Sequence, residues 1–119
     1  MLEHSLENSI LYLRPKGALA ESDFAQLAKT VDPHIEKSGS LAGIIVEAVK
    51  FPGWESFGAM AAHIRFVRDH HEKVKKIAVV TDSKMGKVGE RLANHFVAAE
   101  IKAFPAGAVD EARRWILGK

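Results

Sequence analysis

The sequence predicts an α/β fold with one mixed, mostly parallel sheet of about five strands and about four helices. Short apolar runs rich in β-branched residues alternate with longer segments of helical periodicity. Helices of about 10–15 residues between strands favour parallel pairing with right-handed crossovers. Near the start, the turn signal Asn8-Ser9 separates two short runs and predicts an antiparallel hairpin.

The predicted elements follow one another in the order that such a sheet requires. They are strands at 2–7, 10–14, 42–47, 76–81 and 101–104, and helices at 21–37, 56–71, 84–96 and 108–117. The first helix carries apolar residues at helical spacing, namely Phe24, Leu27, Ala28, Val31 and Ile35. Pro33 lies within that helix and predicts a kink or a break near Asp32. Ser38-Gly39 ends it.

The later elements have equally simple patterns. The runs AGIIVE and KIAVVT are short, apolar and bounded by turn signals, as in central strands that are buried on both faces. The helix between them is expected to turn one apolar stripe to the core: Phe57, Met60, Ala61, Ile64 and Val67. The helix at 84–96 places Met85, Val88, Leu92 and Phe96 on one face. The last helix is expected to pack through Ala112, Trp115 and Ile116.

Composition narrows the function classes. The 119 residues predict a single domain, 1–119, of ordinary globular composition, with 17 basic and 15 acidic residues. The absence of cysteine excludes disulfides and thiolate catalysis and suits a reducing cytoplasm. The N-terminal MLEHSLENS lacks the apolar core of a signal peptide. We therefore expect a cytoplasmic protein, at most peripheral on the inner membrane surface.

A set of short motifs carries a family resemblance. The strand AGIIVE is followed by F-x-G-W (Phe51, Gly53, Trp54), and KIAVVTD is followed by F-x-x-A-E-x-x-x-F (96–104) and a late Trp115. In this order the motifs resemble the SpoIIAA-like family of small bacterial proteins, which is related in fold to STAS domains and more distantly to the CRAL-TRIO lipid-binding fold. The resemblance implies a mixed sheet with four helices and a hydrophobic ligand site between helices and sheet.

This sequence departs from the family pattern at three positions. Glu47 ends a strand that often ends in Asp, His63 replaces an acidic residue in the following helix, and Met85 replaces a Trp. The D-S-S-G phosphoswitch of the related anti-sigma-factor antagonists falls on positions 53–56, where Glu55 occupies the position of the switch serine. A serine kinase cannot modify Glu55, and Ser56 suits a helix N-cap better than a phosphosite. A regulatory role for Glu55 and Ser56 stays an alternative.

Aromatic residues and methionines suggest a ligand mouth. The candidate ligand-binding residues are Phe51, Trp54, Phe57, Met60, Phe66 and Met85. Trp54 follows Pro-Gly at the carboxyl end of a strand, where open α/β sheets bind ligands, and would serve as a lid or an anchor. Phe66 falls almost opposite the predicted core stripe and would give its helix a second apolar face. The alternatives are ordinary core packing for Phe51 and Phe57, and a lone exposed Phe66.

The sequence gives little support for a metal site, a cofactor site, a nucleic acid interface or an active site. His63 and His70 are seven residues apart, whereas metal pairs on helices use spacings of about three or four, so no metal is predicted. The Gly pair in SKMGKVGERL lacks either phosphate-binding pattern, and no cofactor is predicted. Basic residues cluster in the middle third without a DNA-binding motif, so no nucleic acid partner is predicted. No nucleophile, base and orienting group form a set, so we expect no catalytic residues and no enzyme.

These observations favour a non-enzymatic binding module for an apolar or amphipathic small molecule, lipid-like in character and associated with a membrane surface. The alternative is a STAS-type protein-interaction module without the usual phosphoserine switch, built as a homodimer on the same apolar face.

Overall fold

The computed structural model describes residues 2–48, 52–81 and 98–118 and confirms the predicted α/β architecture. The strands are β1 (Leu2–Glu7), β2 (Ile10–Pro15), β3 (Leu41–Glu47), β4 (Val74–Val80) and β5 (Glu100–Phe104). The described helices are α1 (Glu21–Ser38), α2 (Phe57–His70) and α3 (Val109–Leu117), and a 3-10 turn (His71–Lys73) follows α2. The helix predicted at 84–96 lies outside the described residues.

The five strands form one sheet in the order β1-β2-β3-β4-β5. The pairing of β1 with β2 is antiparallel and every other pairing is parallel, as predicted. Helices α1 and α2 cover one face of the sheet and build the first core. Helix α3 covers the other face and builds the second core. Because β2, β3 and β4 are buried on both faces, they read in the sequence as nearly continuous apolar runs.

The hairpin turn consists of two residues. Glu7 pairs with Ile10, which leaves Asn8 and Ser9 as the loop. Both have positive φ, 52° and 65°, as a type I′ turn requires. The carbonyl oxygen of Ser9 accepts a hydrogen bond from Ala42 N at 2.9 Å. The turn therefore also anchors the start of β3.

Of the kink or break expected near Asp32, the break does not occur, because helix α1 runs through Pro33 without interruption. Proline removes one backbone hydrogen bond, but tertiary contacts hold the chain on both sides of it. Val31 is fully buried before it. After it, the side chain of His34 is hydrogen-bonded to Ser9 Oγ at 3.0 Å. These contacts hold the helix in place on both sides of Pro33.

The core face of α2 is opposite to the predicted one. Phe57 is 85% exposed and Ile64 is 59% exposed, although both were assigned to the core stripe. The buried residue of α2 is Ala59, and Ala62 and Phe66 pack against the first core.

The reason is the close approach of α1. Ala25 and Ala28 of α1 and Ala62 of α2 line a groove between the helices, and the rings of Phe24 and Phe66, with centroids 6.3 Å apart, form part of its wall. Small residues on both helices permit a short interaxial distance, which the bulkier stripe would prevent.

Helix α3 packs through the predicted residues. Ala112 and Ile116 are buried, and Trp115 packs beside them on the second core. Ile116 lies directly over Gly43 in β3. A Cβ atom at Gly43 would meet three Ile116 carbons at 2.6, 2.8 and 2.9 Å. The absence of a side chain at Gly43 thus allows α3 to approach the middle of the sheet.

We expect Gly43→Ala to lower the free energy of unfolding by about 1–3 kcal/mol, the usual range for overpacking a filled core. Urea denaturation measures the change. Gly17→Ala is the matched control, because a Cβ there would meet no atom within 4 Å. A Gly43→Ala protein as stable as the Gly17→Ala protein would contradict the proposed close contact.

Candidate functional site

The segment before α2 is held by backbone hydrogen bonds to the segment before α1. Leu19 N donates to Gly53 O and Glu55 N donates to Leu19 O, both at 2.8 Å, which makes a short parallel bridge between Leu19 and Trp54. Gly53 has φ of 84°, a value that other residues rarely adopt, and its conformation turns the chain into this bridge. Trp54 is therefore fixed beside the start of α1, with 38% of its surface exposed.

The first turn of α2 is stabilised from two sides. Ser56 Oγ accepts a hydrogen bond from Ala59 N at 3.1 Å, which confirms Ser56 as the N-cap. The carboxylate of Glu21 in α1 lies against Gly58, in a first turn that has no acidic residue of its own. Negative charge there complements the positive end of the helix dipole. Glu55 is exposed, and the regulatory role considered for Glu55 and Ser56 stays a prediction.

Five rings form a continuous row along the seam between α1 and α2. In order, the aromatic row consists of Trp54, His63, Phe24, Phe66 and His70. Successive centroids lie 6.0, 4.9, 6.3 and 4.1 Å apart. The row joins the Trp54 segment to the far end of α2 through ring contacts alone.

His63 must be neutral to hold Trp54. The indole Nε1 of Trp54 donates to His63 Nδ1 at 3.1 Å, so this nitrogen carries no proton. The opposite side of the imidazole stacks on Phe24, with the ring planes 19° apart. Burial lowers the pKa of His63 below its ordinary value, which favours the neutral form that the hydrogen bond requires.

His70 ties the C-terminal end of α2 to α1. Its Nε2 lies 2.6 Å from Asp32 Oδ1, and its Nδ1 lies 2.7 Å from the carbonyl oxygen of Phe66. The ring also stacks on Phe66 with centroids 4.1 Å apart. Both ring nitrogens of His70 are thus engaged, one within α2 and one across to α1.

The side of α2 that faces away from α1 is apolar and exposed. We call it the outer stripe: Phe57, Met60, Ala61, Ile64 and Val67. Phe57 and Ile64 are the large side chains with the greatest exposure there, and Met60, Ala61 and Val67 are partly exposed. Exposed apolar patches of this kind mark interaction sites more often than isolated exposed residues do.

The structure divides the predicted ligand-binding residues into two groups. Trp54 and Phe66 belong to the aromatic row, where Phe66 packs against the first core and is neither a lone exposed ring nor part of an outward face. Phe57 and Met60 belong to the outer stripe. The remaining two, Phe51 and Met85, lie outside the described residues.

The polar side of α2 carries two exposed arginines, Arg65 and Arg68, beside the exposed Asp69. Arg68 donates to Asp69 Oδ1 at 3.0 Å and lowers the pKa of that carboxyl, and His70 and Arg65 lower it further.

Among residues 2–48, 52–81 and 98–118, no helix combines the length and the apolar character needed to cross a membrane.

The fold and the site together define a class of protein. A five-stranded sheet with one antiparallel edge strand, two described helices on one face and a C-terminal helix on the other is a STAS-type arrangement. The SpoIIAA-like family model matches residues 10–117. The chain belongs to the SpoIIAA-like family.

Solved structures agree with this assignment at the level of the fold. An uncharacterised protein of the DUF3478 family with a SpoIIAA-like fold, from Shewanella loihica PV-4, superposes with a TM-score of 0.74 at 18% identity, over 98% of this chain and 92% of that one. The NMR structure of the protein TM1081 gives a TM-score of 0.57 at 15% identity, over 100% of this chain and 90% of that one. The search among curated proteins found no match.

The sequence contained a signal for the aromatic row that the periodicity argument did not use. His63, Phe66 and His70 recur at spacings of three and four, so their rings share one helix face. Considered separately, the histidines raise the question of a metal site and Phe66 suggests an outward ring, whereas the shared spacing predicts one row of rings. The hydrogen bond from Trp54 to His63 depends on how the two segments meet in space and has no signature in the sequence.

The stability of the protein should depend on pH through His63. The pKa of the folded-state imidazole lies below the ordinary value of 6.5, so the unfolded chain takes up this proton first as the pH falls. The stabilisation is fully present above about pH 6.5 and declines as the pH falls towards the folded-state pKa. We expect the free energy of unfolding to fall more between about pH 7.5 and 5.5 in the wild type than in His63→Gln, as measured by urea denaturation. An equal fall in both proteins would show that His63 does not contribute.

Proposed function

We propose that the protein is a non-enzymatic binding module whose outer stripe on α2 holds an apolar or amphipathic molecule of lipid-like character. The observation that carries the proposal is the exposure of Phe57 and Ile64, 85% and 59%, one above the other on the same helix. Covering such side chains yields roughly 1.5–3 kcal/mol each. Leaving both in water therefore disfavours the unbound state and favours any partner that covers them.

The charges beside the stripe support an amphipathic ligand over a purely apolar one. Arg65 and Arg68 are exposed on the same helix, close enough to receive an anionic head group while an acyl chain lies along Phe57 and Ile64. A basic amphipathic helix of this kind also suits an anionic membrane surface. Trp54, three residues before Phe57 in the chain, supplies a fluorescent reporter at the N-terminal end of α2.

A second copy of the chain is the rival occupant. The outer stripe lies on the side of α2 that faces away from α1, and that geometry suits a flat partner surface as well as a small ligand. A stable dimer would bury roughly 1,200 Å² or more in total, considerably more than this stripe alone. The dimer would therefore need contacts beyond α2.

Trp54 fluorescence tests the proposal. We expect a saturable change in Trp54 emission on titration with laurate below its micellar concentration. In Phe57→Ser/Ile64→Ser we expect the affinity for laurate to fall at least tenfold, because the lost apolar contact is worth more than about 1.4 kcal/mol, which corresponds to a tenfold change. Both residues are exposed, so the variant should keep the stability of the wild type. Trp54→Phe, which retains Trp115, identifies the signal of Trp54.

Leu117→Ser is the control, because Leu117 is an exposed large apolar residue on α3, outside the stripe. Light scattering after size exclusion distinguishes the dimeric protein-interaction module from the ligand-binding module. A dimer that dissociates in Phe57→Ser/Ile64→Ser, together with no response to laurate, supports the protein-interaction module. No response to laurate in a monomeric wild-type protein would reject both candidates.

A further inference from the structure

Apart from the outer stripe, a concave site lies at the carboxyl ends of the parallel strands, on the α3 side of the sheet. We call it the strand-end cleft. It has a volume of about 450 Å³, within the roughly 300–1,000 Å³ that small-molecule sites occupy. Its lining comes from the ends of β2, β3 and β4 and from the turn before α3: Arg14, Pro15, Lys16, Glu47, Ala48, Val80, Ala106 and Gly107.

The lining combines charged groups with small apolar walls. Arg14, Lys16 and Glu47 supply the charges, while Pro15, Ala48, Val80 and Ala106 supply the apolar surface. Val80 is almost fully buried, so it forms a fixed base for the cleft. In open α/β sheets the carboxyl ends of the strands are the usual place for ligands, because side chains from several strands converge there.

Arg14 retains hydrogen-bonding capacity. Its Nε donates to Glu47 Oε1 at 2.9 Å, and among the described residues that is its hydrogen bond to another side chain. The two terminal nitrogens of the guanidinium are thus available for a bidentate contact with a carboxylate or a phosphate. Lys16, whose Nζ lies 3.5 Å from Glu3 Oε1, adds a second positive charge on the same wall.

Glu47 acts as an internal competitor for Arg14. The side chains of the Arg14–Glu47 pair are 50% and 38% exposed, and pairs so open to water are weak. An incoming anion can therefore share Arg14 or displace Glu47 from it. The carboxylate of Glu47 also repels anions, so it lowers the affinity of the cleft rather than creating it.

We propose that the strand-end cleft binds a small organic anion, with a carboxylate or phosphate group on Arg14 and Lys16 and a short apolar body against Ala48 and Val80. This site is distinct from the outer stripe and does not depend on the function proposed for it. The two surfaces belong to different elements, so each can be tested while the other is intact.

Amide chemical shifts in the intact protein locate binding. Hexanoate and hexyl phosphate are the probes, with hexanol and hexylamine as controls of equal chain length. We expect saturable shifts at Lys16, Ala48 and Gly107 with an anion and not with the controls, and the comparison of the two anions identifies the preferred head group. Shifts confined to Phe57 and Ile64 would instead report the outer stripe and would overturn the assignment to the cleft.

Two variants move the affinity in opposite directions. Arg14→Gln should weaken binding of the preferred anion by at least about tenfold, as expected for loss of a bidentate charged contact. Glu47→Gln should tighten it by about threefold or more, because a competitor for Arg14 and a repulsive charge are removed. A structural role for the pair would not produce tighter binding. Arg114→Gln, at an exposed arginine of α3 outside the cleft, is the control and should bind as the wild type does.

Three results would overturn the proposal. The first is the absence of saturable shifts up to about 20 mM anion, a concentration far above any useful dissociation constant. The others are equal binding of hexanol and hexanoate, and an unchanged affinity for the anion in Glu47→Gln. The last result decides the matter even if Arg14→Gln folds poorly.

Discussion

Helix α2 has two apolar faces, and the sheet together with α1 can bury only one of them. The buried face is the one with the smaller residues, Ala59 and Ala62, because α1 brings its own alanines to the same seam. Phe66 packs against the first core on this face, with its ring 6.3 Å from that of Phe24. The exposure of Phe57 and Ile64 follows directly from this choice. The close helix–helix contact thus determines both how the first core is filled and which apolar surface faces the solvent.

Most of the fold could be predicted from the sequence because its determinants are local. The two-residue turn at Asn8-Ser9, the apolar runs of β3 and β4 and the periodicity of α1 each act within a few residues, and the structure confirms all of them. The core face of α2 could not be predicted. Periodicity identifies a stripe of large apolar residues, but it contains no information about how closely α1 approaches α2. Pro33 led to a wrong break for a similar reason: distant contacts of His34 and Val31 hold the helix together. The ligand-binding role of the candidate residues stays a prediction, and the contacts that join Trp54 and Phe66 to His63, Phe24 and His70 could not be predicted, because they depend on how α1 and α2 meet in space.

The surfaces offered for binding share few residues with the cores, and Val80, in both the strand-end cleft and the second core, is the exception. The outer stripe and the rest of the cleft consist of exposed or partly exposed residues, whereas the Phe24–His63 stack and the Ile116–Gly43 contact are packed between elements. The two surfaces also differ in chemistry. The stripe is apolar with charges beside it, while the cleft has charges at its wall and only small apolar groups within. A change in the binding preference of either surface would therefore leave the packing of the cores largely unaffected.

The bridge between Leu19 and Trp54 consists of backbone hydrogen bonds, made by Leu19 N, Leu19 O and their partners in the Trp54 segment. Any residue other than proline can make such bonds, so the side chain at position 54 is free to vary without separating the two segments. Gly53, whose positive φ sets up the bridge, is the position at which a substitution would strain the backbone and disturb the junction of the two segments.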